Sequence, residues 1–379
     1  MSGIKKQIQD IIVDLIEIEN SVDITNANKE EYRKKKYTEM VDYVKGYLED
    51  VGMEVETITS ESSPIIVAKY GGPGSVVFAG HLDSLSPSAD WTYTQGQISN
   101  GKIYGSGTVD MKGSIVSMIK AAEKLVDRNV PFAIALTTDE EEGMSGANYL
   151  SKHEYLRKAQ VIVMGEPTNM KIGVVEKGLL DLVLTIHGKS AHGSIPSMGD
   201  NAIIRALKFL KMFNNIKGTK LKNESLKGKL SINVATIHGG VKHNLVPDRC
   251  DIGIEIRFPP PYSPDDIYRM VSDNLSQHKK KFSVVKKFEL PSIVMDRNSP
   301  IISTMQKISN TEISEVEYTS EAVLYQKINK NILFYGCGDN EILYQPDEFI
   351  KLDDIMKTAE IYRKYAIEVY ENKTKKASR

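Results

Sequence analysis

The chain has 379 residues, with 49 lysines and arginines against 50 aspartates and glutamates, 41% hydrophobic and 26% charged residues, and a net charge of −1. That length exceeds one ordinary compact core and points to two domains, one of them discontinuous in sequence. The composition excludes disorder, and the charge balance gives no electrostatic case for nucleic acid or an anionic membrane, leaving a small molecule or peptide as the expected partner.

From the amino end, the apolar residues of MSGIKKQIQDIIVDLIEIEN are broken by Asp, Glu and Gln, unlike the core of a secretory leader. No later run reaches the roughly eighteen apolar residues of a membrane span, so the expected setting is cytoplasmic. Ile8, Ile11, Ile12 and Leu15 fall on one helical stripe, and Tyr37, Met40, Val41, Val44 and Leu48 on another, predicting two amphipathic helices. IIVAKY, VVFAG, FAIALTT and VIVMG then read as strands, with a helix marked by Ile115, Met118, Ile119, Ala122, Leu125 and Val126 between two of them. This alternation predicts an α/β domain with a mainly parallel sheet and helices on its faces.

After about residue 177 the texture changes. LLDLVLTIHG reads as a strand, 201–213 as a helix, KLSINVATIHGG and CDIGIEIRF as strands, and 265–275 as a helix. That order predicts a smaller α+β insert with an antiparallel sheet, residues 178–288, closed by the KKKF and VVKKF region. Residues 220–229, polar and basic, read as a solvated loop. NILFYG resumes the first domain, residues 1–177 and 289–379, before a final helix over 353–370. Cys250 and Cys337 stand far apart in neither CxxC nor zinc-ribbon spacing, so no disulfide framework is expected.

The strand-like runs end in residues that a core does not need. VVFAGHLD ends in His81 and Asp83, FAIALTTDEEEG in Asp139, Glu140, Glu141 and Glu142, and VIVMGEPTN in Glu166; GSGTVDMKG adds Asp110 in a glycine-rich turn. Ligands bind at the carboxyl ends of strands in open α/β sheets, so these groups can converge although distant in sequence. His, Asp and Glu without Cys is a ligand set for zinc, cobalt or manganese in a hydrolytic centre. The His81-x-Asp83 spacing lets Asp83 sit behind the imidazole and fix its tautomer. Adjacent Glu140 and Glu141 point to opposite sides of an extended backbone, so one can bind metal while the other handles protons. Taken singly, each has a bland reading: HxD by chance, DEEEG as a solvated acidic loop, Glu166 as a turn residue, Asp110 as a helix cap. Their order, each at the end of an apolar strand or ahead of a helix, favours the functional one.

GHLDS, YGSGTVDMKG, TDEEEG, GEPT, GKSAHGSIP and GGVKHNLVPD with IEIRF resemble the successive motifs of a family of dinuclear-zinc hydrolases. That family includes acetylornithine deacetylase, succinyl-diaminopimelate desuccinylase, aminoacylase and carboxypeptidase G, and the resemblance runs from about residue 64 to 350. It implies a catalytic domain interrupted by a lid domain that commonly mediates dimerisation, hence a homodimer acting on an N-acyl amino acid or peptide. Carried over by motif position, His81 and Glu166 are ligands of one zinc, Asp110 bridges two, and Glu141 belongs to the second. Glu140 becomes the general base and Asp83 supports His81. The implied chemistry is metal-assisted amide hydrolysis, with cobalt or manganese as possible replacements for zinc. His192 of the insert is implied to stabilise the tetrahedral oxyanion, often from the partner subunit, and Asn244 and Arg257 to bind the carbonyl oxygen or a substrate carboxylate. The bland readings are a satisfied loop histidine and an ordinary surface ion pair.

One position departs from the pattern. Where the family reads close to AHxPxE, this chain has Leu343-Tyr344-Gln345-Pro346-Asp347-Glu348, so Tyr344 stands at the histidine that would complete the second metal site, and no histidine follows His278. A phenol binds metal as phenolate and titrates near pH ~10 unperturbed, so the His81 side is expected to hold its ion more tightly than the Glu141 side. The leading expectation is an acetylornithine deacetylase-like amidohydrolase, a preference supported by TSEAVLYQK at 319–327. The rival is a degenerate homologue that binds amino-acid derivatives or a protein partner without hydrolysis. Retention of Glu140 argues against it, since a binder has no need of the base.

Overall fold

A computed structural model of the chain describes residues 2–18, 21–22, 30–60, 63–87, 90–216, 230–275 and 281–377. The basic stretch 220–229, expected as a loop, lies outside the described residues. The chain divides into two units: Met1–Val174, Met295–Ser314 and Ser320–Arg379 form the first, and Val175–Val294 with Glu315–Thr319 the second.

In the first unit, α1 (Ser2–Glu17) buries Ile8, Ile11, Ile12 and Leu15, and α2 (Glu30–Asp50) buries Tyr37, Met40, Val41, Val44 and Leu48. These are the one-sided stripes that helical periodicity requires. The central strands are β1 (Glu54–Ser60), β2 (Ser63–Tyr70), β3 (Val76–His81), β4 (Phe132–Thr137), β5 (Val161–Met164), β6 (Ile172–Glu176) and, from much later in the chain, β11 (Ile332–Phe334). They are ordered β6-β11-β5-β3-β4-β2-β1. β11, β5, β3 and β4 run parallel; β2 is antiparallel to β4, β1 is antiparallel to β2, and β6 is antiparallel to β11. Every residue of β3, β4 and β5 is buried, as expected of parallel strands covered on both faces. Helices α3 (Gly113–Val126) and α7 (Leu352–Ala377) pack on each other, and α6 (Pro300–Ser309) joins α7. The parallel register sets His81 beside Thr137 and Ala79 beside Met164, so the chain leaves all three strands at one edge of the sheet.

The second unit is a four-stranded antiparallel sheet of β7 (Gly178–His187), β8 (Ser231–Gly239), β9 (Arg249–Phe258) and β10 (Phe282–Leu290), ordered β8-β9-β7-β10. Helices α4 (Ala202–Ile216) and α5 (Pro264–Leu275) cover one face. Strand alternation explains the core: Cys250, Ile252, Ile254, Ile256 and Phe258 of β9 point inward onto Ala206, Phe209, Ile267, Val271 and Leu275, while Asp251, Glu255 and Arg257 alternate outward. The unit extends to Val175 and Val294, beyond the expected 178–288, because Ile293–Val294 pairs antiparallel with Val175 and Glu176.

Candidate active site

Each polar group at the open edge of the first sheet comes from a different element. β3 ends in His81, β5 stops two residues short of Glu166, and Asp110 lies in the turn ahead of α3, which starts from Gly107 in the left-handed region at φ 71°. All three are buried, and one ligand atom from each lies within 4.8 Å of the others. His81 Nε2 is 3.2 Å from Asp110 Oδ1 and 3.9 Å from Glu166 Oε1. On the other side of the ring, Nδ1 is 3.0 Å from the Asp83 carbonyl oxygen and 3.4 Å from Asp83 Oδ1. A proton on Nδ1 leaves Nε2 with its lone pair toward the acidic corner. Asp83 Oδ2 accepts the Glu141 backbone N–H at 3.0 Å, so the carboxylate beside the imidazole also anchors the acidic turn.

The DEEEG run divides by partner. Asp139 accepts the Gly146 N–H at 3.0 Å and the Ser145 hydroxyl, holding the start of the short helix Ser145–Leu150. Glu140 and Glu141 occupy the turn after β4, each half-buried. Burial, with the charges of Glu141, Glu166 and Asp110 added and His81 opposing, pushes the Glu140 carboxyl well above the usual carboxylate range. Burial and then the Asp110 charge push Glu141 up to about 7. For His81, burial works to lower the pKa, but hydrogen bonds to Asp110 and Asp83 and the Glu166 charge outweigh it and raise the ring well above its ordinary value.

Tyr344 closes the corner. Its hydroxyl is 2.8 Å from Asp110 Oδ2 and 2.9 Å from Glu141 Oε1, although half of the residue is exposed. A phenol has one proton to donate, so satisfying both carboxylates requires sharing it or a second proton on Glu141. The surrounding turn is clamped from two sides. Asp347 accepts the Thr92 N–H at 2.8 Å and its hydroxyl at 2.6 Å, and buried Glu348 accepts the Val109 N–H at 2.8 Å, one residue before Asp110. Next to it, Phe349–Lys351 pairs antiparallel with Lys102–Tyr104.

Three buried ionisable groups around this corner received no role from sequence reasoning. Lys112, two residues after Asp110, donates to Ser84 Oγ at 2.7 Å; burial lowers it to about 8 against the attraction of Glu348, Asp83 and Asp110. Glu321 accepts the hydroxyls of Thr137 and Tyr325, the latter at 3.1 Å, and burial pushes it up to about 8. Glu348 had served only to align the motif; burial pushes it up to about 7. For Lys112 and Glu321 the available signal was a charge set among small or apolar neighbours, in MKGSIV and SEAVLY.

The remaining candidates belong to the second unit. His192 is exposed, with Nδ1 2.7 Å from Ser194 Oγ, and forms a bridge with Leu245, while the Gly193 N–H donates to the Asn244 carbonyl at 2.8 Å. Arg257 sits on β9 opposite Leu179, with its guanidinium on Glu255 at 3.0 and 3.2 Å. The structure therefore brings His192 and Asn244 together and leaves Arg257 at the other end of that sheet.

The donors His81, Asp110 and Glu166 fit a divalent cation, being imidazole nitrogen and carboxylate oxygen without thiolate, set in a corner crowded with carboxylates that a cation would stabilise. A parallel sheet whose strand ends deliver such a set is suited to metal-dependent hydrolysis. The sequence profile of Peptidase family M20/M25/M40 matches residues 77–368, and the chain belongs to that family and is a hydrolytic enzyme of the amidohydrolase and peptidase class. A relative named probable succinyl-diaminopimelate desuccinylase, from Staphylococcus aureus (strain MSSA476), is 24% identical over 419 aligned positions, covering 97% of this chain and 98% of its own. The acetylornithine deacetylase of Aliivibrio salmonicida (strain LFI1238) is 29% identical over 334 positions, 84% of this chain and 88% of its own. Among solved structures, an M20 family metallo-carboxypeptidase from Sulfolobus solfataricus shares the fold at a TM-score of 0.77 and 18% identity, covering 96% of this chain and 99% of its own. Human carnosine dipeptidase 1 does so at 0.75 and 15%, with 97% of each chain covered. The family and the α/β architecture expected from the motifs are thus the observed ones. Among the described residues no helix is long and apolar enough to cross a membrane.

Proposed function

We propose that this enzyme hydrolyses the amide bond of an N-acyl amino acid or small peptide, in the manner of acetylornithine deacetylase, with zinc at its centre; cobalt and manganese suit the same donors. The observation that carries the reading is the approach of His81, Asp110 and Glu166 ligand atoms to within 4.8 Å, with Glu140 on the adjoining turn. His81 and Glu166 would hold the ion with Asp110, and Glu141 stands on the far side of Asp110. A bound ion supplies Lewis acidity, polarising the scissile carbonyl and lowering the pKa of water. Glu140 takes the water proton as the oxygen attacks the carbonyl carbon, then delivers it to the amine nitrogen as the carbon–nitrogen bond breaks, leaving a carboxylate and a free amine. Asp83 keeps the His81 ring oriented throughout. His192 and Asn244 are assigned to the developing oxyanion, and Arg257, once released from Glu255, to a substrate carboxylate through its planar fork.

A homodimer is part of this proposal. β8 is an edge strand, and its exposed Val234 and Ile237, with Ile204 and Leu207 of α4, put apolar side chains on the surface of the second unit. The activity is tested by assaying N-acetyl and N-succinyl amino acids and small dipeptides before and after chelation. Turnover of at least one of them should disappear on chelation and return with added zinc. A zinc-loaded, folded protein inert toward all of them would overturn the substrate assignment.

A further inference from the structure

We infer that the Tyr344 hydroxyl occupies the place of a second ion, so that the centre takes one. This rests on the metallohydrolase reading above and concerns how that centre is built. The two oxygens of Asp110 face different partners: Oδ1 lies 3.2 Å from His81 Nε2, and Oδ2 lies 2.8 Å from the Tyr344 hydroxyl. Glu141 Oε1 approaches the same hydroxyl at 2.9 Å. The phenol oxygen therefore sits between two carboxylates, where an ion shared by them would lie.

An ion bound to both carboxylates at about 2.0–2.2 Å would use the oxygens that the Tyr344 hydroxyl already engages, so hydroxyl and ion compete for the same carboxylate lone pairs. The turn that carries the tyrosine is also held in place: Asp347 ties it to Thr92, and Glu348 ties it to Val109, the residue preceding Asp110. At φ 56° Tyr344 occupies a left-handed conformation that a non-glycine residue keeps only where its surroundings hold it. The phenol thus does for Asp110 and Glu141 by hydrogen bonding what a cation would do by charge.

The test is ion stoichiometry, independent of turnover. Chelator-treated protein is titrated with Co²⁺ followed by visible absorption, and zinc per chain is measured by elemental analysis after dialysis. The wild type should saturate at one equivalent. Tyr344→His should take a second, bound at least about tenfold more tightly than any second event in the wild type, a change of the size that altered metal surroundings produce. Tyr344→Phe, which keeps the ring, should retain the first ion unchanged. Two tight ions in the wild type, loss of the first ion in Tyr344→Phe, or a single ion in a Tyr344→His protein of native circular dichroism would each overturn the inference. A folded wild type that binds no ion would instead overturn the metallohydrolase reading.

Discussion

Glu140 and Glu141 have the same side chain and adjacent positions, yet their surroundings differ. Glu141 shares the Tyr344 hydroxyl, and its backbone N–H is held by Asp83, whereas burial raises the Glu140 carboxyl above the usual carboxylate range. If Glu140 is the proton carrier, Glu140→Gln keeps shape and removes basicity. Turnover should fall by about 10² to 10⁴, the usual range for a general base, with ion content unchanged. Near-normal turnover in that variant would remove the assignment. At this scale the location of the corner was legible because carboxylates and a histidine ended apolar strands, where packing gives no reason for them. Lys112 and Glu321 were not legible, because a lone lysine or glutamate in sequence reads as solvated. Only the fold shows that the first reaches Ser84 and the second Thr137 inside the protein.

Elements explain what single residues do not. The strands VVFAG, FAIALTT and VIVMG could be read from unbroken apolar runs, and they are the parallel, fully buried ones. IIVAKY also read as a strand, but its antiparallel sense was hidden because its outer partner β1, EVETITS, is polar and only partly buried and carries no strong pattern. The turn holding Tyr344 was legible only as a departure from a motif; its clamps are tertiary. Glu348 is the deeper clamp. Glu348→Ala leaves the Val109 N–H without this acceptor and should cost roughly 1–3 kcal/mol, the usual penalty for stranding a buried donor, whereas Glu348→Gln retains an acceptor and should cost less. Urea midpoints of the two variants compare them directly. Equal midpoints would mean that this hydrogen bond does not hold the turn.

For the whole molecule, the proposed dimer gives a prediction that does not depend on chemistry. Ile237 is exposed on the edge strand β8, so Ile237→Asp places a charge where a partner's apolar surface would lie without touching the core of the unit. Light scattering should report a dimer for the wild type and a monomer for the variant, with unchanged circular dichroism. A monomeric wild type would dismiss the dimer.

The path of the chain through the first sheet has a consequence for timing. β11 lies between β5 and β6, although nearly the whole second unit is synthesised before it. Just past β11, Gly336 donates its N–H to Thr168 Oγ1 at 3.1 Å, and any Cβ there would collide with the carbonyl oxygens of Gly165 and Glu166. The backbone at Glu166 is thus seated by a residue translated about 170 positions later. A nascent chain that has completed β3, β4 and β5 already displays His81, Asp110 and Glu166, but not this seating. An ion held in this finished geometry would therefore be acquired only after residue 336 has been added, and ribosome-bound fragments ending before it should show no tightly bound zinc by elemental analysis.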